Sequence, residues 1–425
     1  MESPRSPPGS VRRHGRNISQ PLVRRSTRGP LDAPDNPLDQ PIVSPIVELA
    51  SPTTSSEDDR PPTSTQAPAL SQKPKPNIDL RFLQDPANYH SLPTEDIALP
   101  FLDSDQQPPS DTPLTELLDQ GHFRRAAETA VTDLLQCQSD DVEQILQLLY
   151  TRLACLVLIS RQDLAAQEAA PLTDVLARSP PSATDLVPLI PWELRLVLVR
   201  LQSVATTDGG RRGIMALYAL AGEARARHRQ AHASGVEPER DVWAERLRDL
   251  GLRVADALVE MGELETANRH LDGLSDVDAD QVAYRKAVLR LRVGDIAGAR
   301  GFVDKLDHDS RKATLEILLK IADGKDAVAS WQSLLEEYPD DALLANNLAV
   351  SMLYAGRITD ARDLLRSTLD RSAAFASVLF NVSTIYELCA ERAVDHKMEL
   401  AQTMAEKVPS SASGGWERAG FEFKL

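Results

Sequence analysis

The sequence has few cysteines and no long apolar run. Its 425 residues include three cysteines, Cys137, Cys155 and Cys389, without a Cys-x-x-Cys pair. This pattern excludes a disulfide framework and a thiolate zinc site, and it indicates a reducing compartment. No run reaches the roughly 18 apolar residues of a membrane span, and no apolar stretch of about 7 to 15 residues opens the chain. We therefore expect an intracellular protein without a secretory signal and without direct membrane insertion.

Basic residues are outnumbered by acidic ones. The chain has 63 Asp and Glu against 47 Lys and Arg, which gives a formal net charge of −16. Nucleic-acid binders typically present a basic patch, so no nucleic-acid partner is expected. Residues 77–425 alone carry −18, because residues 1–76 contribute +2. That balance disfavours docking on anionic lipid, so any membrane recruitment should depend on protein partners.

Proline divides the chain into unlike segments. Residues 1–76 contain 15 of the 29 prolines, whereas only eight follow Leu114. Residues 1–76 have too little apolar surface to offset the entropy of ordering, which predicts a disordered arm rich in Pro, Ser and Arg. Residues 77–113 place short apolar groups between prolines, which predicts an extended transitional segment. This segment either lies against the chain's own helices or serves as a linear partner motif.

Residues 114–425 have a helical pattern. Runs such as VEQILQLLYTRLACLVLI place apolar residues at i, i+3, i+4 and i+7, which predicts an all-α body. A glycine followed five residues later by alanine recurs, and the last four such glycines are 32, 30 and 32 residues apart. We expect each glycine to end one helix in the left-handed conformation and each alanine to let the next helix pack closely. The repeat-structural positions are Gly262, Ala267, Gly294, Ala299, Gly324, Ala329, Gly356 and Ala361.

The spacing within these units is that of a tetratricopeptide repeat (TPR). From Ala342, Gly356 stands 14 positions on and Ala361 stands 19 on, and the next unit begins 34 residues later at Ala376. The predicted fold is an all-α, tetratricopeptide-type α-solenoid preceded by the disordered arm. The repeat is clearest from residue 248 onward, whereas residues 122–240 show helices without a clean repeat.

Two short patterns imitate metal sites. His228 and His232 are four residues apart on a predicted helix, a spacing that suits zinc, but no Glu adjoins His228 and the neighbours are cationic. The segment DVDAD resembles the start of a calcium loop, but Gln281 and Ala287 replace its glycine and its last glutamate, which favours an ordinary interhelical turn. We therefore expect no metal, no cofactor, no catalytic residue and no small-molecule substrate.

A solenoid of paired helices binds partners in the groove formed by the first helix of each unit. Asn347 and Asn381 occupy the same repeat position, where tetratricopeptide domains that bind chaperone tails use asparagine to hold a terminal carboxylate. The matching position of the preceding unit is Leu315, which cannot complete a carboxylate clamp. The alternative is that both asparagines bond neighbouring backbone. Phe380 and Tyr386 add aromatic surface to the last unit. We expect residues 342–407 to carry the principal protein-binding surface, with these four side chains as candidates.

Several segments carry a family resemblance. NNLAVSMLYAGRITDARDLL, SVLFNVSTIYELCAERAVDHKMELAQTMAEK and VPLIPWELRLVLVRLQ resemble the trafficking protein particle (TRAPP) complex subunit 12 family. The resemblance covers roughly residues 114–425 and is strongest after Asn346. It implies a scaffold subunit that is not an enzyme, with other subunits of a TRAPP-type tethering complex as partners. Those subunits would carry nucleotide exchange on a Rab GTPase.

The same resemblance implies a role in endoplasmic reticulum to Golgi transport and autophagy. The location implied is cytoplasmic, and peripheral at Golgi and endoplasmic reticulum exit membranes through partners. A free TPR peptide-binding adaptor of the cochaperone type is the alternative. The two functions differ in stoichiometry, because a scaffold subunit should co-elute with its complex through high salt.

Overall fold

The computed structural model describes residues 78–178, 186–204, 208–307, 309–372, 374–389, 391–411 and 414–425. The chain divides into two units, Met1–Lys73 and Pro74–Leu425, and every described residue belongs to the second. The predicted arm, residues 1–76, lies outside the described residues. Within the described ranges the regular structure is helical, apart from one isolated β-bridge between Ile97 and Ala419. The predicted all-α fold of the tetratricopeptide type is confirmed.

The described residues form 17 α-helices, and each helix from α2 onward packs against the next. They are α1 (Leu99–Leu102), α2 (Leu114–Asp119), α3 (Phe123–Gln136), α4 (Val142–Leu158), α5 (Gln162–Arg178), α6 (Trp192–Val204), α7 (Arg211–Ser234), α8 (Glu237–Glu260), α9 (Leu264–Asp272), α10 (Ala279–Arg292), α11 (Ile296–Val303), α12 (Ser310–Ala322), α13 (Val328–Glu337), α14 (Ala342–Tyr354), α15 (Ile358–Arg371), α16 (Ala376–Cys389) and α17 (Ala393–Ala405).

Aspartates begin several of these helices. Asp278, Asp309 and Asp341 each precede a helix and accept a hydrogen bond from a backbone N–H of its first turn. Such caps satisfy amide groups that have no partner within the helix. Asp278 belongs to the DVDAD segment, which is therefore an interhelical turn and the start of α10, as predicted.

The repeat glycines adopt the expected backbone conformation. Gly262, Gly294, Gly324 and Gly356 have φ between +74° and +79°. In three of these units the following alanine stands at the fourth position of the next helix and is fully buried: Ala267, Ala299 and Ala361.

The Gly324 unit departs from this pattern. Ala329 is exposed, so the prediction of a buried alanine is wrong at this position. The reason is loop length: α13 begins four residues after Gly324, whereas α15 begins two residues after Gly356. The two additional residues place Trp331 at the fourth helical position, and its side chain is buried there instead.

Replacing Gly356 by valine is expected to lower the free energy of unfolding by about 1 to 3 kcal/mol. A Cβ at Gly356 would meet no atom within 4 Å, so the loss should come from the φ of +78° alone. Gly301→Val is the control, because Gly301 has equal space on α11 without a positive φ. Urea unfolding of both variants tests this, and equal stability would mean that the turn at Gly356 tolerates a β-branched residue.

The described part of the transitional segment, residues 78–113, lies against the chain's own helices. Leu80 and Leu83 are buried in a core shared with α3, α4 and α5. The segment is less extended than predicted, because it contains two 3-10 turns, Arg81–Leu83 and Pro86–Asn88, and the short helix α1. Of the two interpretations, packing against the body is the one observed.

The two ends of the helical series meet. Trp416 N donates to Gly121 O at 2.9 Å, beside the start of α3, and Ala98 N donates to Arg418 O at 3.0 Å. The Trp416 ring lies 5.4 Å from that of Phe101, and both side chains are buried. We call residues 96–101, 121–122 and 416–423 the terminal clasp. The packing contacts thus run from α2 to α17 and return through the clasp to α3.

Candidate protein-binding surface

The first helices of the last two repeat units expose apolar side chains. Leu343, Asn347 and Tyr354 share one face of α14, and the Tyr354 side chain is 90% exposed. Phe380 and Leu388 are exposed on α16. Single exposed apolar residues need no explanation, but a group of them on neighbouring helices is typical of a binding surface. We call these five residues the α14–α16 surface.

A hydrogen bond joins the two helices of this surface. Asn381 Nδ2 donates to Asn346 Oδ1 at 2.8 Å, and Asn346 is buried. The alternative that Asn381 bonds neighbouring backbone is not observed, because its amide bonds the side chain of Asn346. The role of Asn381 in binding a partner stays a prediction. Asn347 is half-buried, and its side chain makes no hydrogen bond in the described part of the chain. The Asn347 side chain is therefore free of hydrogen bonds from the described residues, whereas the Asn381 amide already makes one.

Phe380 and Tyr386 have different environments. The Tyr386 side chain is only 6% exposed, its ring lies 5.4 Å from that of His396, and burial raises the pKa of its phenol. The structure therefore corrects the prediction that Tyr386 contacts a partner, because its position on α16 faces the core. Phe380 is 47% exposed, so it remains accessible to a partner.

A cation stands beside the exposed Phe380 ring. Lys424 Nζ lies 5.1 Å from the ring centroid, within the range of a cation–π interaction. Lys424 is held by an ion pair with Glu387, and Glu387 also accepts a hydrogen bond from Lys397 Nζ at 2.6 Å. Hydrogen bonds from Lys397 and then Lys424 hold the pKa of Glu387 below its usual range. A partner at Phe380 therefore meets an aromatic ring next to a fixed positive charge.

The described residues offer little metal or thiolate chemistry. Across the described ranges, no group of three or more His, Cys, Asp or Glu side chains is placed to hold a metal ion. Cys155 is buried on α4, and burial raises the pKa of its thiol to about 12, which keeps it protonated at neutral pH. None of the helices within these ranges is long and apolar enough to span a bilayer.

Comparison with known proteins finds similarity in one segment. The chain is 29% identical over 132 residues to trafficking protein particle complex subunit 12 of Mus musculus and 28% identical over 134 residues to that of Homo sapiens. Each match covers 28% of this chain and only 17% or 18% of the relative, so the chain spans less than a fifth of either protein. No family model matches the sequence.

A solved tetratricopeptide repeat protein from Parabacteroides merdae is 14% identical, with a TM-score of 0.33, and the match covers 63% of this chain and 94% of that one. The helices and turns described above make the chain a helical-repeat protein. One segment of it is similar to a subunit of a trafficking complex.

Proposed function

We propose that the protein is a non-catalytic scaffold subunit of a TRAPP-type vesicle-tethering complex in endoplasmic reticulum to Golgi transport and autophagy. The observation that carries this proposal is the α14–α16 surface, which presents apolar side chains where the family resemblance is strongest. The partial similarity to trafficking protein particle complex subunit 12 supports the choice of complex. Its partners are other subunits of that complex, which recruit it from the cytoplasm to Golgi and endoplasmic reticulum exit membranes.

The geometry gives less support to a free cochaperone-type adaptor. Such an adaptor holds the terminal carboxylate of a peptide with asparagine and basic side chains on successive first helices. Here the Asn381 amide is engaged by Asn346, and the matching residue of the preceding unit, Leu315, is apolar and buried. The clamp would therefore lack one of its positions, and a second position is partly engaged within the chain. A fixed subunit contact through apolar anchors fits these side chains better.

The scaffold proposal predicts that the protein co-fractionates with other subunits, and that this association depends on Tyr354 and Phe380. Tyr354→Ala combined with Phe380→Ala should release most of the protein from the high-mass fraction of a cell extract, because it removes two exposed aromatic anchors. Leu99→Ala with Phe421→Ala is the control. Both residues are 64% exposed, a fraction between those of Phe380 and Tyr354, and both lie outside α14 and α16. Native-size fractionation with mass spectrometry measures the effect.

The outcomes separate the two functions. Unchanged circular dichroism must accompany the loss, so that release reflects the surface rather than unfolding. If the native protein elutes alone at high salt, the scaffold proposal is wrong and the adaptor becomes the better description. If it elutes in a complex that the Tyr354 and Phe380 substitutions do not disturb, the docking surface lies elsewhere on the helices.

A further inference from the structure

A second exposed face runs along α7, remote in sequence from α14 and α16. Its residues recur at alternating intervals of three and four, and all of them are exposed. They are Met215, Tyr218, Gly222, Arg225, Arg229, His232 and, just after the helix, Val236. We call this set the α7 stripe. On the helix, its first part is apolar and its second part, from Arg225 to His232, is basic.

The length of α7 leaves this face accessible. Helices α7 and α8 have 24 residues each and pack against each other, so each is about 36 Å long. Their other neighbours, α6 and α9, have 13 and 9 residues, or about 20 and 14 Å. The flanking helices are therefore too short to cover the hairpin along its whole length. The second half of α7 belongs to a projecting two-helix arm.

Within the described part of the chain, the two arginines of the basic half, Arg225 and Arg229, have no ion-pair partner. Several arginines elsewhere on α6 to α8 are paired: Arg195 with Glu223, Arg200 with Glu260 and Arg253 with Asp249. By contrast, Arg225 and Arg229 form no ion pair with any residue that the structure describes. Glu223 is the only acid in α7, against five arginines. In a body of charge −18, an unpaired basic face on an otherwise acidic protein calls for an external negative partner.

We propose that the α7 stripe docks an acidic amphipathic helix of a partner protein. Intervals of three and four residues sustained along α7 from Met215 to His232 match the seam along which two helices pack side by side. Apolar residues of the partner face Met215 and Tyr218, and its Asp and Glu face Arg225 and Arg229. The proposal deepens the proposed function, on which it rests, by adding the class of one partner and a second contact surface.

Gly222 favours a helix over a less regular acidic ligand. It lies at the centre of the stripe, where the apolar and basic halves meet, and a Cβ built on it would meet no atom within 4 Å. A partner side chain can therefore approach the α7 backbone at this point, as a knob enters a hole between helices. An anionic membrane surface could pair with the arginines, but it has no side chain that would insert at Gly222.

The test uses the full chain and a designed probe. The probe is a helical peptide of about three heptads with leucine at alternating spacings of three and four and glutamate beside them, and a scrambled peptide of the same composition is its control. We expect the native chain to bind the helical probe at least tenfold more tightly than the scrambled peptide in fluorescence anisotropy. Arg225→Glu with Arg229→Glu should weaken that binding at least tenfold.

A matched variant controls for net charge. Arg248 and Arg269 are exposed arginines of α8 and α9, without ion pairs in the described structure, and Arg248→Glu with Arg269→Glu changes the net charge equally. This control should bind like the native chain. Equal loss in both variants, or equal binding of the two peptides, overturns the proposal. Binding to phosphatidylserine vesicles without preference for the helical probe also overturns it and assigns the face to lipid.

Fractionation of the same variants separates this inference from the proposed function. If the native chain elutes without other subunits yet the probe results hold, the proposed function fails and the helix-binding face stands. If the native chain elutes in a complex while the probe shows no preference for the helix, the scaffold function stands and the α7 proposal fails.

Discussion

Replacing Glu168 by alanine is expected to lower the free energy of unfolding by about 3 to 5 kcal/mol. Arg152 Nε and Nη2 donate to the two carboxylate oxygens of Glu168 at 2.8 and 2.7 Å, and the exposed fractions of the two side chains are 1% and 0%. His90 N also donates to Glu168 at 2.9 Å, which ties the segment before α1 to α5. The substitution would leave the Arg152 charge buried without its partner.

Asp163→Ala is the matched control for this prediction. It also removes a carboxylate that accepts two hydrogen bonds from one arginine, Arg161, but that pair is partly exposed, with exposed fractions of 26% for Arg161 and 56% for Asp163. Because solvent screens exposed pairs, a loss of no more than about 1 kcal/mol is expected. Urea unfolding at neutral pH gives both values. A Glu168 variant no less stable than the Asp163 variant would show that the buried pair adds nothing beyond an exposed one.

Replacing Trp416 by alanine is expected to remove about 3 to 5 kcal/mol, the usual effect of deleting a buried aromatic side chain. The Trp416 side chain is 5% exposed and its ring lies 5.0 Å from that of His122, at the start of α3. The effect should therefore reach the first helices although Trp416 follows the last one. Hydrogen exchange should become faster in α2 and α3 as well as in the tail.

Phe421→Ala is the control for the clasp, because it removes an aromatic ring that is 64% exposed in the same short segment. A surface change of this kind should alter stability by no more than about 0.5 kcal/mol. Faster exchange confined to residues 414–425 in the Trp416 variant would show that the tail covers the body without supporting α2 and α3.

The local features of the fold were predictable from the sequence, because they depend on residues close together in the chain. Gly356 and Ala361 are five positions apart, and both behave as the repeat requires. The prediction for Ala329 is wrong because it used only the glycine–alanine spacing. The two residues added to the loop before α13 do not change that spacing, although they shift which helical position is buried. Helix periodicity predicted the all-α body, and the repeat spacing predicted its tetratricopeptide type.

The candidate site was less predictable, because it depends on which helix face is buried. Tyr386 was predicted as surface, yet its repeat equivalent Met352 is also buried. The alignment of Tyr386 with Met352 is the signal from which its burial could have been predicted. Tyr354 ends α14 on the exposed face of Asn347 and could have been found by extending that face by two turns. The clasp could not, because Phe101 and Trp416 are far apart in sequence and belong to no repeat.

The clasp also has a consequence for synthesis on the ribosome. Phe101 emerges early, but the residues that bury it, Trp416 and Phe423, are made roughly 300 positions later. At about 5 to 20 residues per second, this delay lasts about 15 to 60 s. During that interval the nascent chain exposes an apolar segment that its own C-terminal residues cover only later. We expect this segment to be a binding site for chaperones during translation.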